Sequence, residues 1–272
     1  MTSATPVKKF NRLLLTGAAG GLGRVLREKI KPWANIVRVS DLAGLGEAGE
    51  GEEVVHCDLA DREGVNALVK DCDAVLHFGG VSVEGPFDPI MQANILGAYN
   101  LYAAIHQHGV KRVVFASSSH TVGFYRTTDR VDAEMPLRPD GFYGLSKCFG
   151  EALSRYYFDR FGIETVCLRI GSSFPEPRTP RMMVTYLSYN DLLDLIRASL
   201  FTPRVGHTIS FGTSANATSW WDNSKAAHLG YQPKDSAQQF SANFPDTAEF
   251  PAADDATTIF QGGAFVTTGP IY

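Results

Sequence analysis

Tyr143 and Lys147 stand four residues apart in the run Tyr143-Gly144-Leu145-Ser146-Lys147, a spacing that sets both side chains on one face of a helix. A free phenol has a pKa of about 10 and is a poor base at neutral pH, but a neighbouring ammonium favours its ionised form. A serine hydroxyl can hydrogen-bond both the phenol and a substrate oxygen, and the run Ser117-Ser118-Ser119-His120 offers Ser118 or Ser119 for this. Tyr143 would then take the proton of an alcohol while a hydride leaves the same carbon for a nicotinamide cofactor. A tyrosine–lysine pair at this spacing is also common on helix surfaces, so its meaning depends on what surrounds it in the chain.

Upstream, Leu13-Leu14-Leu15 runs into Thr16-Gly17-Ala18-Ala19-Gly20-Gly21-Leu22-Gly23. An apolar run, a glycine turn and a helix start are the parts of a dinucleotide-phosphate site. Gly17 permits the sharp turn, Gly20 lets a pyrophosphate approach the backbone, and Gly23 lets the helix pack on the strand. The spacing is G-x-x-G-x-x-G, which by itself also fits an ordinary strand–turn–helix connection. A second strand, Asn35–Asp41, ends on an acidic residue 18 positions after Gly23. A carboxylate there can accept both adenosine ribose hydroxyls and repels a 2′-phosphate, which predicts NAD over NADP. Arg38 precedes Asp41 within that strand. Asp58 is placed to meet the adenine amino group, with Leu59 against the ring. Gly79 and Gly80 follow the fourth strand and keep the backbone bare for a ligand.

These residues need a sheet to hold them. Strands are predicted at Asn11–Thr16, Asn35–Asp41, Val54–Leu59, Asp73–Phe78, Val110–Ala116 and Thr165–Ile170, with a short one at Gly206–Gly212. Helices are predicted at Gly21–Lys31, Asp61–Lys70, Asp88–Gly109, Asp140–Phe161 and Asn190–Leu200. The alternation predicts an α/β chain: a Rossmann-type doubly wound parallel sheet with its ligands at the carboxyl edge. Residues 1–272 are read as one NAD-binding unit, in which 171–272 form mostly a small C-terminal, substrate-side extension. Met1–Phe10 reads as a frayed tail. Asn94, polar on a buried helix, needs hydrogen-bond partners.

Composition narrows the classes. The chain has 272 residues, 44% of them hydrophobic and 20% charged, as in ordinary globular proteins, and a net charge of −4 that gives no support for nucleic-acid binding. No apolar run reaches the length of a membrane span, and the first ten residues lack a signal-peptide core. Cys57, Cys72, Cys148 and Cys167 show no C-x-x-C spacing. They read as reduced thiols of a cytoplasmic protein, and no metal site is expected.

With these motifs in order, the chain resembles the extended branch of the short-chain dehydrogenase/reductase superfamily from Arg12 to about Arg181. The likeness rests on the glycine run and on Tyr143–Lys147. A further set resembles the uronate dehydrogenase family: His77–Glu84, Ala116–Gly123, Tyr143–Gly150, Arg169–Ser172, Pro175–Pro177, Trp220–Asn223 and Phe260–Gly263. The resemblance implies NAD-dependent oxidation of cyclic D-galacturonate or D-glucuronate at the anomeric carbon, giving an aldarolactone. It implies Tyr143 as base, Lys147 as its partner and nicotinamide-ribose ligand, and Ser118 as the catalytic hydroxyl. Cofactor positions are Gly17, Gly20, Gly21, Leu22, Gly23, Asp41, Asp58, Leu59, Gly79, Lys147 and Ser173. Substrate positions are Ser82, Ser118, Ser119, His120, Tyr143, Ser172 and Arg181, the last suited to bidentate carboxylate binding. The alternative for His120 is a satisfied structural histidine.

The chain departs from the family at Ser119, where Asn is usual, and at Gly21, where Gln is usual. The competing expectations are an NAD-dependent sugar-nucleotide epimerase or dehydratase of the same branch, and a non-catalytic NAD(H)-sensing regulator. The C-terminal segment and its aromatic cluster leave surface for a homo-oligomer.

Overall fold

In the computed structural model, which describes residues 10–244, 254–269 and 271, seven parallel strands form one sheet. They are β1 (Phe10–Thr16), β2 (Ala34–Asp41), β3 (Glu52–His56), β4 (Ala74–His77), β5 (Arg112–Ser118), β6 (Glu164–Ile170) and β7 (His207–Gly212), in the order β3-β2-β1-β4-β5-β6-β7. The tail expected at Met1–Phe10 lies outside the described residues as far as Lys9, and Phe10 already belongs to β1.

Alternate side chains of the strands feed two cores, one on each face. Leu13 and Leu15 join α1 (Gly21–Lys29) and α7 (Tyr189–Phe201) on one face. Leu14, Val75 and Val113 join α2 (Arg62–Val69), α4 (Gly97–Gln107) and α5 (Phe142–Phe161) on the other. This two-sided burial is why the leucine run reads as continuous rather than alternating. Strand order reverses between β1 and β4, and the carboxyl ends of those strands open the crevice where such sheets bind ligands. Local signals set the helix ends. Asp61 accepts the Glu63 amide at 3.1 Å to start α2, and Gly162 closes α5 with φ 64°. No helix among the described residues is long and apolar enough to cross a membrane.

The structure corrects several boundaries. β5 continues to Ser118 because Ser117 and Ser118 still pair with Arg169 and Ile170 of β6. β3 stops at His56, which leaves Asp58 and Leu59 on the loop. α5 begins at Phe142, so Asp140 precedes it. The helix expected over Asp88–Gly109 is three pieces: α3 (Phe87–Ile90), a π-helical stretch (Met91–Leu96) and α4. The π turn carries Asn94, which accepts the Val81 amide at 2.8 Å and donates to Val81 O at 2.9 Å and Ser146 Oγ at 2.8 Å. Its buried amide is thereby satisfied. Two single-turn helices complete the set, α6 (Met182–Thr185) and α8 (Ala256–Ile259).

Beneath the carboxyl edge lies a sealed ion pair. Arg169 of β6 donates from Nε and Nη2 to Glu151 of α5 at 3.0 and 2.9 Å, and Ser117 of β5 donates to the same carboxylate at 2.6 Å. Both charged residues are buried, and the Arg169 guanidinium stands over the Phe211 ring at 5.3 Å. Removing one member of such a pair leaves an uncompensated buried charge. Arg169→Met is therefore expected to destabilise the chain by about 3–5 kcal/mol in urea unfolding, and Arg169→Met with Glu151→Leu to recover most of that loss.

Candidate active site

The glycine turn forms one end of a cleft of about 1310 Å³ along the carboxyl edge. Gly17 has φ +75°, and a Cβ there would collide with the Phe78 carbonyl. A Cβ at Gly23 would collide with the Gly17 carbonyl, so the turn and α1 close up only around bare backbone. Gly21 faces open space, with nothing within 4 Å of its would-be Cβ. The first-turn amides of α1 have no intrahelical acceptor, Gly20 supplies no side-chain cap, and no acidic residue lies in that turn. This is an uncompensated positive helix end suited to phosphates.

Asp41 ends β2 beside the turn. Its Oδ2 accepts the Ala19 amide at 2.9 Å and its Oδ1 the Ala43 amide at 3.0 Å. Arg38 is turned elsewhere, donating to Glu53 at 2.7 Å and to Leu68 O and Lys70 O at 2.7 and 2.8 Å. It is thus spent on structure and does not line the cleft. Asp58, Leu59, Gly79 and Ser173, expected as cofactor positions, line the same cleft. The Ser173 hydroxyl is buried without a hydrogen-bond partner among the described residues, as expected of a group that awaits a ligand.

Ser118, at the end of β5, and Tyr143 and Lys147, on the first turns of α5, meet at the middle of the cleft. The Asn94–Ser146 contact continues to the Tyr143 carbonyl, which accepts the Ser146 hydroxyl at 2.7 Å. Glu84 accepts the Phe142 and Tyr143 amides at 3.0 and 2.9 Å, capping α5 from the loop after β4. The Lys147 ammonium stands 5.6 Å from the Tyr143 ring centroid. Burial pushes the Tyr143 phenol up to about 12, opposed by a hydrogen bond with Ser118, and pushes Lys147 down to about 8. The expected lowering of Tyr143 by Lys147 is therefore absent from the free chain, because both groups have lost their water.

On the far side, Arg181 is half-buried against the C-terminal segment. Nε donates to Gln261 O at 2.7 Å and Nη2 donates to the same oxygen, while Nη1 makes no hydrogen bond among the described residues. Burial lowers the Arg181 guanidinium to about 10, opposed by the charge of Asp140. Gln261 is fully engaged. Its Nε2 donates to Arg126 O and Asp129 O, both at 3.0 Å, and its Oε1 accepts Trp221 Nε1 at 3.0 Å. His120 donates from or accepts at Nδ1 toward Asp140 at 2.6 Å and stacks on Phe265 at 3.8 Å.

Every residue expected in the site lines this one cleft except Ser119. Ser119 is buried in the 3₁₀ turn after β5 and does not reach the cavity, whereas Ser118 does. Ser172 lines the cleft but shares its hydroxyl with Thr185 at 2.9 Å. Ser82 is exposed on the loop after β4. Sequence reasoning gave Asp140, Glu84 and Phe265 no part in the site; Glu84, Gln261 and Trp220 fell within matching runs without a role.

The profile described as the NAD dependent epimerase/dehydratase family matches residues 13–190. A uronate dehydrogenase of Pseudomonas putida is 57% identical over 262 residues, which cover 96% of this chain and 97% of the relative. One from Agrobacterium fabrum is 52% identical over 97% of this chain and 99% of its own. The crystal structure of a mutant uronate dehydrogenase from Agrobacterium tumefaciens complexed with NAD has a TM-score of 0.93 at 52% identity, covering 96% of this chain and 98% of that one.

The placement of Asp41 sets a test. Asp41→Ala is expected to lower the ratio of kcat/KM for NAD⁺ over NADP⁺ by roughly tenfold or more, the worth of a charge-assisted hydrogen bond. The ratio is read from NADH and NADPH formation under matched conditions, and an unchanged ratio removes Asp41 from cofactor choice.

Proposed function

As a member of the NAD-dependent epimerase/dehydratase family, and within it of the uronate dehydrogenases, the chain is an NAD-dependent oxidoreductase; we propose that it oxidises the anomeric carbon of cyclic D-galacturonate or D-glucuronate to an aldarolactone. The observation that carries this reading is Arg181, a half-buried cation whose Nη1 makes no hydrogen bond among the described residues, in the same cleft as Ser118, Tyr143 and Lys147.

The glycine turn, Asp41, Asp58 and Ser173 would hold NAD⁺, which when bound would supply the hydride acceptor and a positively charged ring. Arg181 takes the C6 carboxylate and fixes which way the sugar lies, since a guanidinium presents donors in a fork matched to a carboxylate. Ser82, His120 and Ser172, which line the same cleft, meet ring hydroxyls in this reading. Ser118 hydrogen-bonds the C1 oxygen and the phenol, and Tyr143 removes the C1 hydroxyl proton as the C1 hydride departs. Carbon 1 loses two electrons and becomes the carbonyl of a lactone, because the ring oxygen remains bonded to it. Lys147 stabilises the phenolate by its charge. Ser118 supplies the hydroxyl; Ser119 has no part in it.

The direct test is NADH formation with NAD⁺ and D-galacturonate or D-glucuronate, against galactose, glucose and UDP-sugars. Turnover on the uronates alone is expected. Turnover on UDP-sugars with tightly retained NAD would replace this reading by an epimerase. Tyr143→Phe is expected to cut turnover by about 10²–10⁴ while NADH still binds. Arg181→Ala should raise KM for uronates about tenfold more than any effect on neutral sugars, the loss of one charge-assisted pair.

The pH profile follows from the two opposed shifts. Tyr143 must be deprotonated to act and Lys147 protonated to assist. With Tyr143 pushed up to about 12 and Lys147 down to about 8, the active form grows with pH until Lys147 begins to lose its proton. Above that point each gain at Tyr143 is offset by a loss at Lys147. The slope of log kcat/KM against pH is therefore expected to be about 1 below the Lys147 transition and flat above it. In Lys147→Arg, whose charge persists, the rise should continue; a bend in that variant at the same pH refutes the assignment.

A further inference from the structure

Asp140 is a buried carboxylate in a site that has to take an anion. Its side chain is fully buried just before α5, Oδ2 lies 2.6 Å from His120 Nδ1, and Oδ1 is buried without a partner among the described residues. Bare backbone walls it in: a Cβ at Gly123 or at Gly262 would collide with this carboxylate. The backbones are tied as well, Asp140 N donating to His120 O at 3.3 Å. On the other side the His120 ring is stacked on Phe265, at 22° between planes, and meets the Tyr143 ring edge-on at 5.9 Å. The imidazole is clamped on its faces and at Nδ1. Nε2 makes no hydrogen bond among the described residues, and His120 lines the cleft.

A carboxylate acting on Arg181 competes with any anion brought to that guanidinium. Its presence there needs another purpose, and its one side-chain hydrogen bond is to His120. A carboxylate accepts only, so the proton between the two groups sits on Nδ1. In neutral His120 that leaves a lone pair on Nε2. We infer that Asp140 is a positioning residue: it fixes the Nδ1–H tautomer of His120, so that Nε2 accepts a hydroxyl of the sugar while Arg181 alone takes the carboxylate. The sugar's identity rests on the uronate reading above; the tautomer does not.

The test uses the full-length protein with ¹⁵N-labelled histidine. Imidazole ¹H–¹⁵N correlations at alkaline pH, with His120→Asn identifying the signal, are expected to show Nδ1 protonated and Nε2 bare in the wild type. Asp140→Ala should move the proton to Nε2 or average the two. In parallel, Asp140→Ala should lower kcat/KM on uronates by about tenfold with NADH affinity retained, and by less than about twofold in a His120→Ala background. Asp140→Asn, which keeps an acceptor, should restore activity to within about threefold of wild type. Protonation of Nε2 in the wild type overturns the inference, as does an undiminished effect of Asp140→Ala in the absence of His120. Failure of the wild type to oxidise uronates, with the Nδ1–H spectrum intact, would refute the substrate reading and leave the tautomer standing.

Discussion

The bidentate contact between Arg169 and Glu151 fixes where α5 can sit. Taking two charges out of water is costly, and only near-ideal geometry repays it. That geometry exists in one register, with β6 supplying the guanidinium, α5 the carboxylate and β5 the Ser117 hydroxyl. A helix sliding by one turn would strand a bare charge in the core. Lys147 and Tyr143 lie one and two turns before Glu151 on the same helix, and Ser118 directly follows Ser117. The pair therefore sets the distance between hydroxyl, phenol and ammonium without touching any of them.

Dryness then governs the chemistry. Tyr143 and Lys147 are buried together, and each is driven toward its neutral form. The free chain is not a poised base. Its site is a low-dielectric slot in which any added charge is felt strongly. The same holds across the cleft, where half-buried Arg181 has its guanidinium lowered and Asp140 as its opposing charge.

Much of this was legible in the sequence because it is local. Gly23 is forced by contacts within its own turn and Gly17 is marked by the turn's positive φ, though the Phe78 carbonyl after β4 also bars a side chain there; Asp41 is marked by its place at the end of β2, and Tyr143 with Lys147 by helical spacing. The boundaries that moved were decided by neighbours: β5 runs to Ser118 because β6 pairs with it that far, and the π turn is tied to Asn94 and its contacts with Val81 and Ser146. Asp140 and His120 are 20 residues apart, and Arg181 and Gln261 are 80 apart. No periodicity or spacing rule links such residues. Ser119, expected as a substrate position, falls outside the cleft lining for a related reason, since two residues of extra strand bring Ser118 to the cavity and leave Ser119 in the turn that follows.

The dependence of Arg181 on the Gln261 carbonyl has a consequence for how the molecule comes into being. Chains grow from the amino terminus, so the glycine turn, the sheet through β7 and the Ser118–Tyr143–Lys147 set all exist before residue 261 is made. Until then Arg181 lacks its acceptor, His120 lacks Phe265, and Trp221 lacks its hydrogen bond. The strands and the glycine turn are thus set by residues up to Gly212, whereas the side chains of Arg181, His120 and Trp221 gain their partners only from residues 261–265.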